Sequence, residues 1–228
     1  MERRTFIQKA LAFTVGFAAM ARGLKAWAKG LPSDPDAPAG TPASPDVIPL
    51  PSFEKNGTFP LDQALLGRMS SRSYDANRKL TRQEISRLLW ATTGVNRPDG
   101  KRTIPSARGV YPVDVVVALP EGAYRFDPKG HRLVRMIPDD IRSKIPAQDA
   151  FKSAAMTVIY VINKDKMPRI EFADLEVGCM GQNLYLEAVA LGMGSLIYAG
   201  FRADDVAKAL GLKENQVARI VQAVGPTK

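Results

Sequence analysis

Cysteine and histidine are almost absent from this sequence, and so is any long hydrophobic run. The single cysteine, Cys179, excludes an intrachain disulfide and any multi-cysteine metal site. The single histidine, His131, excludes histidine-rich metal centres, and a serine–histidine–aspartate triad would depend on it alone. The apolar run at residues 10–21 is shorter than the roughly 20 residues that a membrane-spanning helix needs. We therefore expect no metal site and no permanent membrane anchor.

The composition is that of an ordinary globular protein. Of the 228 residues, 45% are hydrophobic and 24% are charged, which is sufficient for one domain with a sizeable core. The formal net charge is +9, but the first 28 residues hold five Lys or Arg and one Glu, a net of +4. The remainder carries 9 − 4 = +5, a mildly basic balance from which no nucleic-acid partner is expected.

The N-terminal residues have the pattern of an export signal. Residues 3–9 (RRTFIQK) resemble a twin-arginine signal, the apolar run follows, and Ala26-Trp27-Ala28 suits cleavage by a signal peptidase. An ordinary secretory signal with a chance arginine pair is the alternative. We predict that residues 1–28 direct export to the periplasm, or otherwise out of the cytoplasm, through the twin-arginine machinery. That route carries folded proteins, so a tightly held cofactor is expected.

Closely spaced prolines in residues 29–51 predict a solvated linker, and residues 52–228 then form one domain. Thr81 and Glu84 predict a capping box at the start of a helix that Gly94 ends. The other predicted helices are 60–68, 171–191 and 204–210, and the predicted strands are 113–119, a hairpin over 123–133, 156–162, 196–199 and 217–224. Helices and strands interleave without a strict alternation, which favours the α+β class.

Three segments have the composition of a ligand site. Residues 68–74 (RMSSRSY) concentrate guanidinium groups and hydroxyls, which suit a phosphomonoester, although a solvated basic turn has the same composition. Residues 102–112 (RTIPSARGVYP) form a loop before a buried strand. Residues 191–201 (LGMGSLIYAGF) combine glycines with apolar side chains, against which a flat aromatic ring system could lie.

In this order and spacing, the three segments resemble the nitroreductase family, and in particular its branch of thiazole and oxazole dehydrogenases. The resemblance extends from Phe59 to Gly225 and includes LTRQEISRLLWATTGVNR at 80–97 and LEVGCMGQNLYLEAVALGMG at 175–194. It implies a nitroreductase-like α+β fold, with a central, mostly antiparallel sheet flanked by helices, in an intertwined homodimer. It also implies FMN at the subunit interface and a small-molecule electron acceptor.

The resemblance assigns candidate cofactor-binding residues by position. Those matching the phosphate and ribityl contacts are Arg68, Ser70 and Arg72. Those matching the loop that lines the flavin from the partner subunit are Pro105, Ser106 and Ala107, and those matching the segment beside the isoalloxazine are Tyr198, Ala199 and Gly200. Lys228 is the one C-terminal base placed to reach the phosphate. No catalytic residue is identified, because the flavin carries the chemistry; Tyr198 and Ser106 are candidates for hydrogen bonds to substrate or flavin.

The predicted function is an exported FMN-dependent oxidoreductase that passes two electrons to a nitro compound, quinone or similar acceptor. NADH or NADPH would be the reductant in a cytoplasm-like setting, but both are scarce outside it. An azoline dehydrogenase for modified peptides is an alternative, although the Lys-Tyr pair expected of such enzymes does not occur in this sequence. A flavin-binding protein without turnover is another.

Three further expectations concern single residues and one helix. His131 is expected to be an exposed neighbour of a hairpin turn, and Cys179 a small buried hydrophobe. The long helix at 171–191 is small or apolar over much of its circumference, so it should be covered on more than one side. We predict that a partner helix crosses it at Gly178 and Gly181.

Overall fold

A seven-stranded antiparallel sheet is the centre of the computed structural model, which describes residues 46–55, 57–145 and 147–228. In chain order the strands are β1 (Val47–Pro49), β2 (Val113–Leu119), β3 (Gly122–Asp127), β4 (Arg132–Ile137), β5 (Met156–Asn163), β6 (Met193–Tyr198) and β7 (Gln216–Pro226). Their order across the sheet is β1-β4-β3-β2-β5-β7-β6, and every neighbouring pair is antiparallel. The prediction of a central, mostly antiparallel sheet is confirmed.

Helices cover both faces of the sheet. They are α1 (Leu61–Gly67), α2 (Arg82–Thr93), α3 (Ala150–Ser153), α4 (Ile170–Ala190) and α5 (Ala203–Leu210), with short 3-10 turns at Ala107–Gly109 and Arg142–Lys144. Helices α2 and α4 contribute to the core on one face, and α3 and α5 contribute to the core on the other. Within the described ranges, no helix combines the length and hydrophobicity that crossing a lipid bilayer requires.

Strand β2 is apolar at nearly every position because it is buried on both faces of the sheet. Successive side chains of a strand point to opposite faces of the sheet. Val115 and Val117 lie in the core beneath α2 and α4, whereas Val116 and Ala118 lie in the core on the other face. A strand buried on both faces needs no polar side, which is why the run at 113–119 is readable from the sequence.

The predicted capping box at the start of α2 is present. The Thr81 hydroxyl accepts a hydrogen bond from the Glu84 backbone N–H at 3.2 Å, and the Glu84 carboxylate accepts one from the Thr81 backbone N–H at 2.8 Å. Gly94 ends the helix, as predicted. These signals lie within a few residues of each other, so they are visible without knowledge of the tertiary fold.

The predicted linker includes residues that belong to the folded domain. Val47–Pro49 pairs with β4, and the side chain of Leu50 is buried in the core. The prediction of a solvated segment through Pro51 is therefore wrong for residues 47–50, because pairing with a strand some 85 residues away overrides the local proline signal. The predicted export signal at 1–28 lies outside the described residues, as does the linker up to residue 45.

His131 helps to hold this N-terminal strand and is half-buried, so the prediction of an exposed turn residue is wrong. The Ser86 hydroxyl donates to the Pro51 carbonyl at 2.6 Å and lies 2.7 Å from His131 Nε2. Since the hydroxyl proton is already used, Nε2 must donate to Ser86. Burial lowers the pKa of His131; a backbone hydrogen bond with Pro51 opposes this, and the charge of Lys55 adds to the lowering.

We expect the folded protein to lose stability as the pH falls through the range around 6.5. A group whose pKa is lowered on folding binds fewer protons in the folded state, so its contribution is complete above the unfolded pKa and is lost below it. The measurement is urea denaturation at pH 7.5 and pH 5.5, for wild type and His131→Asn. Asn also tolerates the positive φ of 46° at this position. An unchanged loss of stability between the two pH values in His131→Asn would contradict the assignment.

Candidate active site

The segment that contains Arg68, Ser70 and Arg72 lies along the edge strand of the sheet. Ser70 forms a parallel bridge with Ser195 of β6, and the Ser71 backbone N–H donates to the Ser195 carbonyl at 2.8 Å. The buried Tyr74 hydroxyl donates back to the Ser71 carbonyl at 2.9 Å. Burial is the main cause that raises the pKa of this phenol well above its usual range, so it remains a neutral donor. The segment is thus a short, fixed addition to the sheet.

Gly194 makes the close approach of this segment possible. A Cβ at position 194 would lie 2.5 Å from both Cβ and Oγ of Ser71, and 2.6 Å from Cγ2 of Thr227. Both distances are shorter than carbon atoms tolerate in contact. The side chains of Ser71 and Thr227 therefore fill the space beside Gly194. This glycine does not provide the open surface for a flat ring that the sequence suggests.

The C-terminus meets the same segment. Tyr74 forms an antiparallel bridge with Thr227, and the Asp75 backbone N–H donates to the Pro226 carbonyl at 2.9 Å. Lys228 follows Thr227 directly and is exposed. The residues at the end of β7 thus lie beside the segment at 68–74, which also pairs with β6.

Neither arginine of the cationic cluster (Arg68, Ser70 and Arg72) has an acidic partner among the described residues. Among the ion pairs between described residues, none includes Arg68, Arg72 or Lys228. The Arg72 guanidinium donates to the side-chain oxygen of Gln148 at 3.3 Å, and the Arg68 guanidinium lies 5.2 Å from the centre of the Tyr185 ring. Uncompensated guanidinium groups beside a hydroxyl suit an anion with several oxygens, such as a phosphate group.

Tyr185 of α4 joins this cluster to β6 and was missed in the sequence. Its hydroxyl accepts a hydrogen bond from the Ile197 backbone N–H at 2.8 Å and lies 3.2 Å from the Ser70 hydroxyl. The side chain is nearly fully buried. Nothing in the sequence near residue 185 distinguishes it from an ordinary core tyrosine.

Tyr198, Ala199 and Gly200 continue from the same strand. The Tyr198 ring packs near Phe151, with 6.1 Å between ring centroids, and a Cβ at Gly200 would lie 2.9 Å from the Tyr198 hydroxyl oxygen. No hydrogen bond joins the Tyr198 hydroxyl to another described residue, so its proton is available to a ligand. The structure places these three residues at the same end of the domain as Arg68, Ser70 and Arg72.

Pro105, Ser106 and Ala107 lie elsewhere, over the first half of α4. The Ser106 hydroxyl donates to the Glu176 carboxylate at 2.6 Å and accepts from the Tyr111 backbone N–H at 2.8 Å. The proton of this hydroxyl is therefore used within the chain, which favours a structural role over a catalytic one. Pro105 is exposed, whereas Ala107 is half-buried and packs against the core.

The loop at 105–111 is held in an unusual conformation. Arg108 and Tyr111 have positive φ values of 54° and 49°, which non-glycine residues rarely adopt, and Gly109 has a φ of 67°. The Arg102 guanidinium stacks 4.3 Å from the centre of the Tyr111 ring, and the Tyr111 hydroxyl accepts from the Arg102 backbone N–H at 3.1 Å. Such conformations persist only where the surroundings enforce them, and they occur most often in functional sites.

Glu176 anchors this loop and was also missed in the sequence. The residue is 3% exposed, and its second carboxylate oxygen has no hydrogen-bond partner among the described residues. Burial raises the pKa of Glu176, opposed by the Ser106 hydroxyl, the Ala107 backbone and the charge of Arg102. Burial of a carboxyl group costs stability unless hydrogen bonds compensate for it, and the hydrogen bond from Ser106 offsets part of this cost. In the described ranges, no group of three His, Cys, Asp or Glu is placed to hold a metal ion.

The two clusters lie on different parts of α4 in one chain. Glu176 and Tyr185 are nine residues apart, which corresponds to about 13 Å along a helix. Within one chain, two separate places along α4 therefore anchor the cationic cluster with Tyr198–Gly200 and the loop at 105–111.

The two glycines of α4 differ in their surroundings. A Cβ at Gly181 would lie 2.6 Å from Cδ1 of Ile197, so this glycine serves the packing of α4 on its own sheet and not on a partner helix. Gly178 is exposed, and a Cβ there would meet nothing within 4 Å. Cys179 is only partly buried and packs against the core. Of the two glycines at which a partner helix was expected to cross, only Gly178 is therefore open to such a contact.

Comparison with known proteins identifies the family to which this fold belongs. The sequence profile of the nitroreductase family matches residues 65–226. A curated protein of Methanocaldococcus jannaschii, named as a nitroreductase, is 30% identical over 184 residues, which are 73% of this chain and 90% of that protein. The chain belongs to the nitroreductase family and is an oxidoreductase of that family.

Solved structures agree with this assignment. A nitroreductase-like protein of Ralstonia eutropha JMP134 has a TM-score of 0.76 and 32% identity, over 88% of this chain and 96% of that one. A Desulfovibrio desulfuricans protein, solved in complex with FMN, has a TM-score of 0.55 and 17% identity, over 75% of this chain and 88% of that one. At that level of identity the second comparison supports the fold alone.

Proposed function

We propose that this protein is an FMN-dependent oxidoreductase that transfers two electrons to a nitro compound, a quinone or a similar small acceptor. The observation that carries the proposal is the pair of guanidinium groups, Arg68 and Arg72, without ion-pair partners among the described residues and in the same short segment as the Ser70 hydroxyl. FMN ends in a phosphomonoester that needs such donors. The FMN complex of the Desulfovibrio desulfuricans neighbour is in accord with it.

The residues of the cluster divide the binding of FMN between them. Arg68 and Arg72 would bind the phosphate oxygens, and Ser70 would add a neutral donor. Tyr198, Ala199 and Gly200, which continue from β6, would lie beside the ring system. When bound, FMN supplies the capacity to accept and release hydride and electrons. The chain's own part is to bind, to orient and to limit access of water, which agrees with the lack of an acid–base pair in the cluster.

We further propose that the working unit is a homodimer. Helix α1 leaves Leu61 63% exposed and Leu66 79% exposed, and Leu175 on α4 is 69% exposed. Large apolar side chains in this number on one molecule are typical of a surface that a partner covers. A second copy would also bring its loop at 105–111 to the cationic cluster of the first. That would complete a site whose two parts lie about 13 Å apart along α4 in one chain.

The proposed cofactor is tested by purification of the protein without residues 1–28 from the cytoplasm. We expect a yellow protein that releases FMN on denaturation. Arg72→Ala should weaken FMN binding by roughly 1.5–3 kcal/mol, or about 10- to 150-fold, because a charge-assisted contact is lost. The matched control is Lys79→Ala, which removes an exposed positive charge outside the cluster. A colourless protein that cannot be reconstituted with FMN would refute the proposal.

We propose that the protein reaches the periplasm by the twin-arginine route, which the motif at residues 3–9 supports. Changing Arg3-Arg4 to Lys-Lys should retain the precursor in the cytoplasm, because the receptor of that route reads the guanidinium pair. The measurement is immunoblotting of periplasmic and cytoplasmic fractions. Normal periplasmic accumulation of the Lys-Lys variant would indicate the general secretory route.

A further inference from the structure

Tyr185 contacts two residues of the cationic cluster and also the neighbouring strand β6. It lies on α4, its ring lies beneath the Arg68 guanidinium, and its hydroxyl contacts both Ser70 and the backbone of β6 at Ile197. A phenylalanine would fill the same volume and provide a similar ring face. The hydroxyl must therefore be explained separately from the packing.

The hydrogen bonds of the Tyr185 hydroxyl determine where the proton of the Ser70 hydroxyl points. The Tyr185 oxygen accepts from the Ile197 backbone N–H at 2.8 Å, and the phenol has one proton of its own to donate. Among the described residues, the Ser70 oxygen at 3.2 Å is the acceptor within reach of that proton. If Tyr185 donates to Ser70, then the Ser70 proton must point away from Tyr185. No other described residue accepts it, so it can be donated to a ligand.

We propose that Tyr185 is a positioning residue for the phosphate group of the cofactor. It directs the Ser70 hydroxyl proton toward the anion and holds the Arg68 guanidinium beside it. Through Ile197, it also ties this cluster to the strand that continues into Tyr198–Gly200. The inference rests on the proposed function, since it assigns a role to Tyr185 toward a phosphate that Arg68, Ser70 and Arg72 bind.

The test is a double-mutant cycle with two ligands. The full-length chain and its variants Tyr185→Phe, Ser70→Ala and the double variant are freed of flavin and titrated with FMN and with riboflavin, which lacks the phosphate. We expect each single variant to weaken FMN binding about tenfold, the order of one hydrogen bond to a charged group. Riboflavin binding should change by no more than about twofold. In the Ser70→Ala background, Tyr185→Phe should add little, because its effect passes through Ser70.

Tyr124→Phe is the matched control for removal of a tyrosine hydroxyl. The Tyr124 side chain is also buried, and its hydroxyl donates to the Glu121 carbonyl at 3.2 Å on another part of the sheet. Its FMN affinity should equal that of wild type. Thermal unfolding of every variant checks that the chains compared are folded.

Several results would overturn the inference. Additive losses in the cycle would mean that Tyr185 and Ser70 act independently, and an equal loss of riboflavin binding would mean that Tyr185 serves the fold alone. Wild-type affinity of Tyr185→Phe would also overturn it. If Tyr185→Phe does not fold, the result for Ser70→Ala decides alone. Wild-type FMN affinity in Ser70→Ala would overturn the inference, because Ser70 would then make no contact with the phosphate for Tyr185 to direct. A wild-type chain that binds no FMN would refute the proposed function itself, whereas FMN binding with an additive cycle refutes only the role of Tyr185.

Discussion

Replacement of Gln222 by Leu should lower the free energy of unfolding by about 3 kcal/mol or more, because several buried polar groups lose their partners at once. Gln222 is fully buried on β7. Its side-chain oxygen accepts from the Tyr160 hydroxyl at 2.7 Å, and its amide group donates to the Gly181 carbonyl at 3.1 Å and to the Ser195 hydroxyl at 2.9 Å. The measurement is urea denaturation at fixed protein and FMN concentrations.

The double variant Tyr160→Phe with Gln222→Leu is the matched control for this prediction. The phenol of Tyr160 is buried, and burial raises its pKa far above the usual range, so an unpartnered hydroxyl there is costly. Removing it together with its acceptor should restore about 1 kcal/mol or more relative to Gln222→Leu alone. If Gln222→Leu were as stable as wild type, this buried network would not hold β5, β6, β7 and α4 together in the way that we infer.

The second large effect is expected from Gly194→Ala. The added Cβ would lie 2.5 Å from the side chain of Ser71 and 2.6 Å from that of Thr227. The segment at residues 68–74 would have to move away from β6, and the hydrogen bond between Ser71 and Ser195 would lengthen. We expect FMN binding to weaken by about 100-fold or more, since both arginine contacts depend on the place of this segment.

The comparison that isolates the steric effect of Gly194→Ala is Gly57→Ala. A Cβ at Gly57 would meet nothing within 4 Å. That variant should bind FMN as wild type does, with affinity read from the quenching of flavin fluorescence. Wild-type affinity in Gly194→Ala would mean that the arginine segment is not where FMN binds, or that it tolerates displacement.

The elements that the sequence predicts well are those with local causes. The capping box of Thr81 and Glu84 lies within four residues, and the buried strand at 113–119 is a β-branched run whose two faces are both covered. The helix predicted at 171–191 differs by one residue at each end from α4. Strand β6 begins at Met193, three residues before the predicted start, because pairing with β7 extends it through Gly194.

What the sequence does not predict depends on contacts between distant residues. Ser106 and Glu176 are 70 residues apart, and Ser70 and Tyr185 are 115 apart. Neither Glu176 nor Tyr185 has a neighbour in sequence that indicates its role. The same limit applies to His131, which looks like a turn residue until Ser86 and the N-terminal strand meet it in the fold. The sequence thus identifies the binding segments, and the structure identifies the side chains that orient them.

The most direct test of the account is the ratio of affinities of the wild-type protein for FMN and riboflavin. The two ligands share the ring system and the ribityl chain and differ in the phosphate that Arg68, Ser70 and Arg72 are proposed to bind. Two charge-assisted contacts predict that FMN binds at least about 100-fold more tightly, with the difference reduced in Arg72→Ala. Equal affinities for FMN and riboflavin would contradict the assignment of this cluster as the phosphate site.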